Sequence, residues 1–247
     1  MIYGTLPVTF LSAIASEKNG STNSAIAAFI LEHLDEIKGM SITELAEVCH
    51  VSASTISRFC KEIGFDSYAE LREILETSQL TAEPASEDPI DGIIESLEMV
   101  KRSLDMGKVR QLCREIARYQ RVAAFGLLKA EAAAIDLQCD LLMQGKQIFT
   151  NVSYPQQMEY ILSAGSEDLI LIFSYTGSYF EYQDLRGLTE KLKAPRIWMI
   201  AGAQKDYLPF INETLLFDSA HTQAGHPYQL QAVASAIAQE FGDLAHL

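Results

Sequence analysis

A short segment that begins at Ser52 combines hydroxyl and cationic side chains at the spacing of one helix face. Ser52 is a good N-cap, because its hydroxyl oxygen can accept a backbone N–H from the first helical turn. Four apolar residues follow at helical spacing and predict a stripe that faces a core, namely Ile56, Phe59, Cys60 and Ile63. The other positions of this segment predict an exposed face with these residues: Ser52, Ala53, Ser54, Thr55, Ser57, Arg58 and Lys61.

Recognition of DNA is the chemistry that this face offers. Hydroxyl groups and the N-terminal amides of a helix bind phosphates. The guanidinium group of Arg58 suits O6 and N7 of guanine, which it can contact through two hydrogen bonds in a geometry that Lys and Ser cannot copy. We therefore predict that the helix after Ser52 contacts double-stranded DNA.

Two neighbouring helices are predicted to hold this helix in place. Ser41 and Glu44 form a capping box that starts a helix before the break at residues 50–51. Ser67 and Glu70 form a second capping box that starts a helix afterwards. The first two helices have the spacing of a helix-turn-helix.

The segment VSASTISRFCKEIGFDSYAEL resembles the helix-turn-helix of the RpiR-type transcriptional regulators, and the preceding MSITELAE fits the same pattern. This resemblance implies an α-helical DNA-binding domain over residues 1–78. It further implies that a sugar isomerase (SIS) domain, which senses a phosphosugar, occupies residues 90–247. A stretch rich in Pro, Ser and acidic residues predicts the linker between them at residues 79–89.

The charge of the chain limits how such a domain can bind DNA. The formal net charge is −14, and residues 1–80 contain 5 Lys and Arg against 11 Asp and Glu, or 5 − 11 = −6. Neutralisation of phosphates by cations supplies most nonspecific affinity, so a single domain should bind DNA weakly. We therefore expect a homodimer or homotetramer that binds a palindromic operator.

Beyond the linker, apolar segments alternate with helical patterns, which predicts a parallel sheet with helices on both faces. The predicted fold is an α/β three-layer domain with a central, mainly parallel five-stranded sheet. The expected strands are residues 121–125, 147–150, 169–173, 196–201 and 214–217. The expected helices are residues 90–104, 106–118, 131–143, 156–163, 181–193 and 228–241, the last of which is either core or a dimer face.

Two loops at predicted strand ends, where such sheets bind ligands, carry the candidate ligand-binding residues. IFSYTGSYFE offers hydroxyls and backbone N–H groups for a phosphate, and it resembles the S-x-S-G-x-T signature of SIS domains with Tyr179 where Thr is usual. FGLLKAEAA resembles the family's F-G-x-G-x-S only at Phe125 and Gly126, because Leu128 replaces the second Gly. The candidates are Gly126, Ser174, Thr176, Gly177 and Ser178.

These features predict a sequence-specific transcriptional regulator of carbohydrate metabolism, controlled by a phosphosugar or a related ligand. One alternative is a protein-interaction scaffold with a degenerate SIS fold. Another is a phosphosugar isomerase, for which Glu181 is the carboxylate near the second loop. We expect a regulator and not an enzyme.

No cofactor or metal site is predicted, because the five His residues form no ligand cluster, and His221 and His226 are expected to be solvated. The four Cys residues lack a C-x-x-C pairing and are expected to be reduced thiols. No stretch approaches the roughly 18 apolar residues of a membrane span, so a cytoplasmic location without membrane partners is expected.

Overall fold

The computed structural model describes residues 5–18, 20–77, 88–182, 185, 187–202, 208–220 and 225–245. The chain divides into two units, the first with residues 1–82 and 152–156, the second with residues 83–151 and 157–247. Most of the predicted linker and His221 lie outside the described residues.

The first unit is helical. Its helices are α1 (Thr5–Ser16), α2 (Thr22–Glu32), α3 (Leu34–Ile37), α4 (Ile42–Val48), α5 (Ala53–Glu62) and α6 (Tyr68–Thr77). One apolar cluster unites them, and Phe10 of α1 stacks on Phe59 of α5 with ring centroids 6.0 Å apart. The predicted stripe of α5 is part of this core, since Ile56, Phe59 and Cys60 are fully buried.

Local hydrogen bonds begin the helices of this unit. The predicted capping box of α4 is confirmed: Ser41 Oγ accepts the N–H of Glu44, whose carboxylate accepts the N–H of Ser41. At α6, the N–H of Glu70 donates to Ser67 Oγ, but the Glu70 carboxylate accepts the N–H of Asp66 instead of that of Ser67. The second predicted capping box is therefore formed in one direction only.

A positive φ ends both helices of the helix-turn-helix. His50 follows α4 at φ +55°, and the next N–H, of Val51, donates to the carbonyl of Ala46 at 2.9 Å. Gly64 follows α5 at φ +98°, and the N–H of Phe65 donates to the carbonyl of Cys60 at 2.8 Å. Both ends follow the Schellman pattern, but a Gly adopts this backbone conformation without strain and His50 does not.

The second unit is built around a parallel sheet. Its strands are β1 (Arg121–Gly126), β2 (Asp168–Phe173), β3 (Arg196–Ala201) and β4 (Glu213–Leu216), hydrogen-bonded in the order β1-β2-β3-β4. All six residues of β2 are buried, so both faces of the sheet are covered, as in a three-layer α/β fold. The predicted fold class is thereby confirmed, and the described residues form four strands in place of five.

The predicted strand at residues 147–150 forms a single parallel bridge, between Phe149 and Ala123. The N–H of Phe149 donates to the carbonyl of Val122, and its carbonyl accepts the N–H of Ala124. The ladder ends there, since the carbonyl of Asn151 accepts instead from Nε2 of Gln157 at 2.5 Å. A polar side chain from the following helix thus replaces strand pairing.

The helices of the second unit are α7 (Pro89–Ser103), α8 (Met106–Arg118), α9 (Lys129–Met143), α10 (Tyr154–Ser163), α11 (Thr189–Leu192) and α12 (His226–Ala245). The apolar stripe of α12, with Leu230, Val233, Ala234, Ile237 and Phe241, is core, because this helix packs against α7, α8 and α9. The predicted helix at residues 181–193 was wrong. A 3₁₀ turn (Tyr179–Tyr182) and α11 lie there, and between them Gly187 has a φ of +78°, which a helix cannot contain.

Ion pairs stabilise the amino-terminal ends of the strands. Arg121 and Asp168, the paired first residues of β1 and β2, share two hydrogen bonds of 2.7 Å, which hold the pKa of the Asp168 carboxyl below its usual range. Arg196, at the start of β3, makes a similar two-bond contact with Glu115 of α8 at 2.8 and 2.9 Å. These charged side chains bond to one another, so the amino-terminal ends of the strands have a structural role.

Candidate functional site

The polar face of α5 is exposed in the way that the residue spacing predicts. Ser52, Ser54, Arg58 and Lys61 are exposed, and Ala53, Thr55 and Ser57 are partly exposed. Opposite them, Ile56 and Phe59 are fully buried. One helix therefore brings together all seven candidate DNA-contacting residues.

The hydroxyl groups at the start of α5 bond to one another. Ser52 Oγ accepts the N–H of Thr55 at 3.1 Å and lies 2.7 Å from Ser54 Oγ and 2.8 Å from Thr55 Oγ1. The cap orders three hydroxyls at the helix end that a phosphate would approach. Exposed hydroxyls of this kind can exchange such mutual bonds for bonds to a phosphate.

An exposed ion pair holds Arg58. Its Nε lies 3.5 Å from Oε1 of Glu62, with the two side chains 65% and 46% exposed, and Oε2 of Glu62 accepts from Nδ2 of Asn23 at 2.6 Å. An exposed pair at this spacing contributes only about 0.3–0.5 kcal/mol. The guanidinium group can therefore leave Glu62 for a DNA acceptor at little cost.

The candidate ligand-binding residues lie at the carboxyl ends of β1 and β2. Gly126 pairs with Phe173 across these strands, so the loops that follow both strands start side by side. From β1 the chain runs through α9 to the bridge at Phe149, on the side of β1 away from β2. From β2 it continues to β3, on the other side. This divergence is the topological switch point at which parallel α/β sheets bind ligands.

The second loop, residues 174–178, carries two hydroxyls that the described residues leave unbonded, on buried Ser174 and on partly exposed Thr176. Within the described part of the chain, the hydroxyls of Ser174 and Thr176 make no hydrogen bond. A tight turn presents them, because the N–H of Gly177 donates to the carbonyl of Ser174 at 2.7 Å and Gly177 has a φ of +69°. Ser178 is buried beside them. The structure therefore brings together four of the five candidate ligand residues.

Two tyrosines anchor this loop from either side. The hydroxyl of Tyr175 bonds to Oγ of Ser219 after β4, and Ser219 donates to Gln229 of α12 at 2.7 Å. The hydroxyl of Tyr179 donates to Oε1 of Gln157 in α10 at 2.7 Å. Both rings are buried, so the short turn between them has a defined position.

The first loop differs, because its groups contact the protein itself. The N–H of Gly126 donates to Oε2 of Glu131 at 2.8 Å. A Cβ at Gly126 would lie 2.6 Å from the carbonyl carbon and oxygen of Ala130, so the start of α9 packs directly on this glycine. Leu128 has a φ of +54°, a conformation that strains a branched residue. Gly126 therefore has a packing role that the sequence analysis did not predict.

Glu131 is the centre of a buried polar network. Besides Gly126, Thr150 donates its hydroxyl to Oε1 at 2.5 Å and Gln157 donates Nε2 to Oε2 at 3.1 Å. Burial raises the pKa of the Glu131 carboxyl to about 8, although these hydrogen bonds act in the opposite direction. Burial therefore favours the uncharged form of this carboxyl.

Sequence reasoning missed Glu131, Thr150 and Gln157. Their signals are weak, because each is a single polar residue at the margin of a helical or strand pattern. The sequence showed that Tyr179 stands where the SIS signature usually has Thr. It did not show that the Tyr179 hydroxyl donates to Gln157. Contact between these residues depends on how α9 and α10 pack beside the sheet.

Two further residues near the loops differ in exposure. His226 is buried, with its ring centroid 4.8 Å from that of Tyr175, so the expectation that it is solvated was wrong. The cause is its position as the first residue of α12, beneath the second loop. Glu181 is exposed in the 3₁₀ turn.

The described residues contain no group of three or more His, Cys, Asp or Glu side chains placed to hold a metal ion. Among the described helices, none combines the length and apolarity needed to cross a membrane.

Comparison with known proteins finds a family model that matches most of the first unit. Residues 9–81 match the helix-turn-helix domain of the rpiR family. An uncharacterised HTH-type transcriptional regulator of Providencia stuartii is 21% identical over 220 residues, or 80% of this chain and 78% of that protein. The HTH-type transcriptional regulator HexR of Pseudomonas aeruginosa is 23% identical over 67% of this chain and 63% of its own length.

Solved structures share the fold at low sequence identity. The NanR protein of Vibrio vulnificus, solved in complex with ManNAc-6P, covers 97% of this chain and 90% of its own chain, with a TM-score of 0.53 and 16% identity. The protein c3406 of E. coli CFT073 covers 63% of this chain and 87% of its own, with a TM-score of 0.53 and 14% identity.

Proposed function

We propose that this protein is an RpiR-type regulator, with a helix-turn-helix domain of the rpiR family and an SIS-type α/β domain. In this proposal it controls transcription in carbohydrate metabolism in response to a sugar ligand. The observation that carries the proposal is the exposed polar face of α5, opposite a fully buried stripe. Residues 52–55, 57, 58 and 61 are the proposed DNA contacts.

Within this proposal, residues 1–78 bind DNA, residues 79–89 link the domains, and residues 90–247 bind the effector and dimerise. The acidic charge of the first domain supports a homodimer or homotetramer, because two domains on a palindromic operator double the number of phosphate contacts. The protein acts in the cytoplasm, where its operator lies, and works by binding and not by catalysis.

The proposed effector is a phosphosugar bound at the second strand-end loop. The hydroxyls of Ser174 and Thr176, which make no hydrogen bond within the described residues, and the turn at Gly177 support this placement, and Ser178 lies in the same loop. The fold neighbour NanR was solved with ManNAc-6P, which supports a sugar phosphate as the class of ligand. An effector must bind one arrangement of the dimer more tightly, and a coupling of about 1–3 kcal/mol would be ordinary.

The test of the DNA-binding proposal is selection of genomic fragments from the source organism by the full chain at fixed moderate salt. The Arg58→Ala, Lys61→Ala double variant runs alongside. We expect the native protein to enrich a palindromic site and the variant, with an unchanged melting temperature, to enrich none. Equal enrichment by both proteins would contradict the assignment of α5.

The effector proposal has a separate test. Thr176→Val removes an open hydroxyl while keeping the size of the side chain, so DNA binding should persist and the response to sugar phosphates should weaken. Release of the operator is measured against a panel of sugar monophosphates. An unchanged response in the variant would place the effector elsewhere.

A further inference from the structure

The first strand-end loop is filled by groups of the protein itself. Hydrogen-bond donors from three separate segments converge on the Glu131 carboxyl: the N–H of Gly126, the hydroxyl of Thr150 and Nε2 of Gln157. Glu131 and Gln157 are almost completely buried. Donors gathered in this way form a cradle for the oxygen atoms of a ligand group, and here a carboxyl of the protein itself fills it.

No space remains for such a group beside Gly126. The backbone of Ala130 and Glu131 lies within 2.6–2.7 Å of the position that a Cβ at Gly126 would occupy. The Nε2 group of Gln157 also donates to the carbonyls of Gly126 and Asn151, so its protons are in use. The donors of this loop are therefore satisfied within the protein.

We infer that Glu131 is an internal occupant of the first strand-end loop, which closes this loop to ligands and leaves the effector to bind through the second loop alone. This inference rests on the proposed function for the existence of an effector. The class of ligand that fits is a sugar monophosphate whose phosphate contacts residues 174–178 and whose opposite end is neutral. A second phosphate or a carboxylate on that end would find no donor.

The surroundings of Glu131 support this assignment. Burial raises the pKa of its carboxyl to about 8, which means that the site disfavours a charged group even when three donors face it. A phosphate would carry more charge into the same place. The second loop offers the opposite environment, since the hydroxyl of Thr176 is half-buried and makes no hydrogen bond within the described residues.

Glu131→Ala in the full chain tests the inference directly. The substitution deletes the carboxyl and its methylene, a group of the size and shape of acetate, and leaves the three donors around the vacated space. At about pH 5, where a large share of acetate is the uncharged acid that this site favours, we expect acetate, compared with equal chloride, to raise the melting temperature of the variant by several degrees and to leave that of the native protein unchanged. A folded variant that does not respond to acetate would overturn the inference.

Asp136→Ala is the matched control. Asp136 is a half-buried carboxylate of the same helix that takes no part in the hydrogen bonds to Gly126. Acetate should not stabilise this variant. Stabilisation equal to that of Glu131→Ala would show that acetate acts nonspecifically and would also overturn the inference.

A second measurement uses the native protein and does not depend on the folding of any variant. Labelling with ¹⁵N-glycine places one amide probe in each loop, at Gly126 and Gly177. Inorganic phosphate, followed by a sugar monophosphate, is titrated into the full chain. An unperturbed Gly126 amide supports the inference, and a perturbed one overturns it. The Gly177 amide tests the proposed function separately. If it does not respond, the proposed phosphate site in the second loop is wrong.

Discussion

The face of α5 and the strand-end network are both polar, but they are assembled in different ways. All candidate residues of the first come from one ten-residue helix and its N-cap. The network around Glu131 draws its members from four segments spread over residues 126–157. A surface made by one helix can change its side chains without disturbing the fold, whereas a network that joins segments is part of the fold.

The largest effect is expected at Gly126, where the network meets the sheet. In Gly126→Ala, the new Cβ would lie 2.6 Å from the backbone of Ala130, so either β1 or α9 must move. We expect a loss of about 3 kcal/mol in the free energy of unfolding, measured by chemical denaturation. Gly145→Ala is the control, because Gly145 has a φ of +83° but nothing within 4 Å of the added Cβ, and it should cost about 1 kcal/mol. Equal losses would mean that close packing at Gly126 is unimportant.

Glu131→Gln should change how stability depends on pH. The folded pKa of about 8 lies above the ordinary value of 4.5, so the folded state holds the proton more tightly. The stability that this carboxyl contributes is complete below pH 4.5 and is lost as pH rises through about 8, at up to about 1.4 kcal/mol per pH unit.

Gln resembles the protonated acid and does not titrate, so the variant should show a flatter decline between pH 5 and 8. Melting temperatures of both proteins across this range check the prediction. Parallel curves would show that Glu131 is ionised in the folded protein throughout.

Arg58→Lys should separate DNA recognition from stability on α5. The ammonium group keeps the charge but cannot form the two parallel hydrogen bonds to guanine. Discrimination between the operator and a single-base variant should fall by about 1–3 kcal/mol, as measured by fluorescence anisotropy. The free energy of unfolding should change by less than about 0.5 kcal/mol, since the pair with Glu62 is exposed.

Arg72→Lys is the control for this prediction. Arg72 forms an exposed pair with Glu76, at 3.6 Å and with the same i to i+4 spacing, but on α6. Its replacement should leave discrimination unchanged. A loss of discrimination as large as that in Arg58→Lys would contradict the assignment of base recognition to α5.

The smallest effects are expected from the two non-glycine residues that have a positive φ in the described part of the chain, His50 at +55° and Leu128 at +54°. His50→Gly relieves strain at an exposed helix end and should stabilise the protein by up to about 1 kcal/mol. Leu128→Gly should gain less, because the half-buried Leu side chain is lost. Denaturant midpoints distinguish the two, and a destabilised His50→Gly would show that its side chain makes an essential contact.

The same contrast explains which parts of the site could be predicted from the residues. The cap at Ser52 and the stripe at Ile56 and Phe59 are local, so residue type and helical spacing were sufficient to place the polar face. The strand at residues 147–150 was predicted from its apolar residues, but pairing stopped at Phe149, where Gln157 from another helix takes the next carbonyl. The competition between Gln157 and strand pairing for this carbonyl cannot be predicted from neighbouring residues in the sequence.

The sequence by itself determined the helix-turn-helix, the alternation that builds a parallel sheet, and the hydroxyls of the loop at Ser174, because each depends on neighbours a few residues apart. Tertiary structure alone decided that Gly126 packs against α9, that His226 is buried beneath Tyr175, and that Glu131 occupies the first loop. These outcomes depend on distances between residues far apart in the chain, which are set when the helices pack on the sheet.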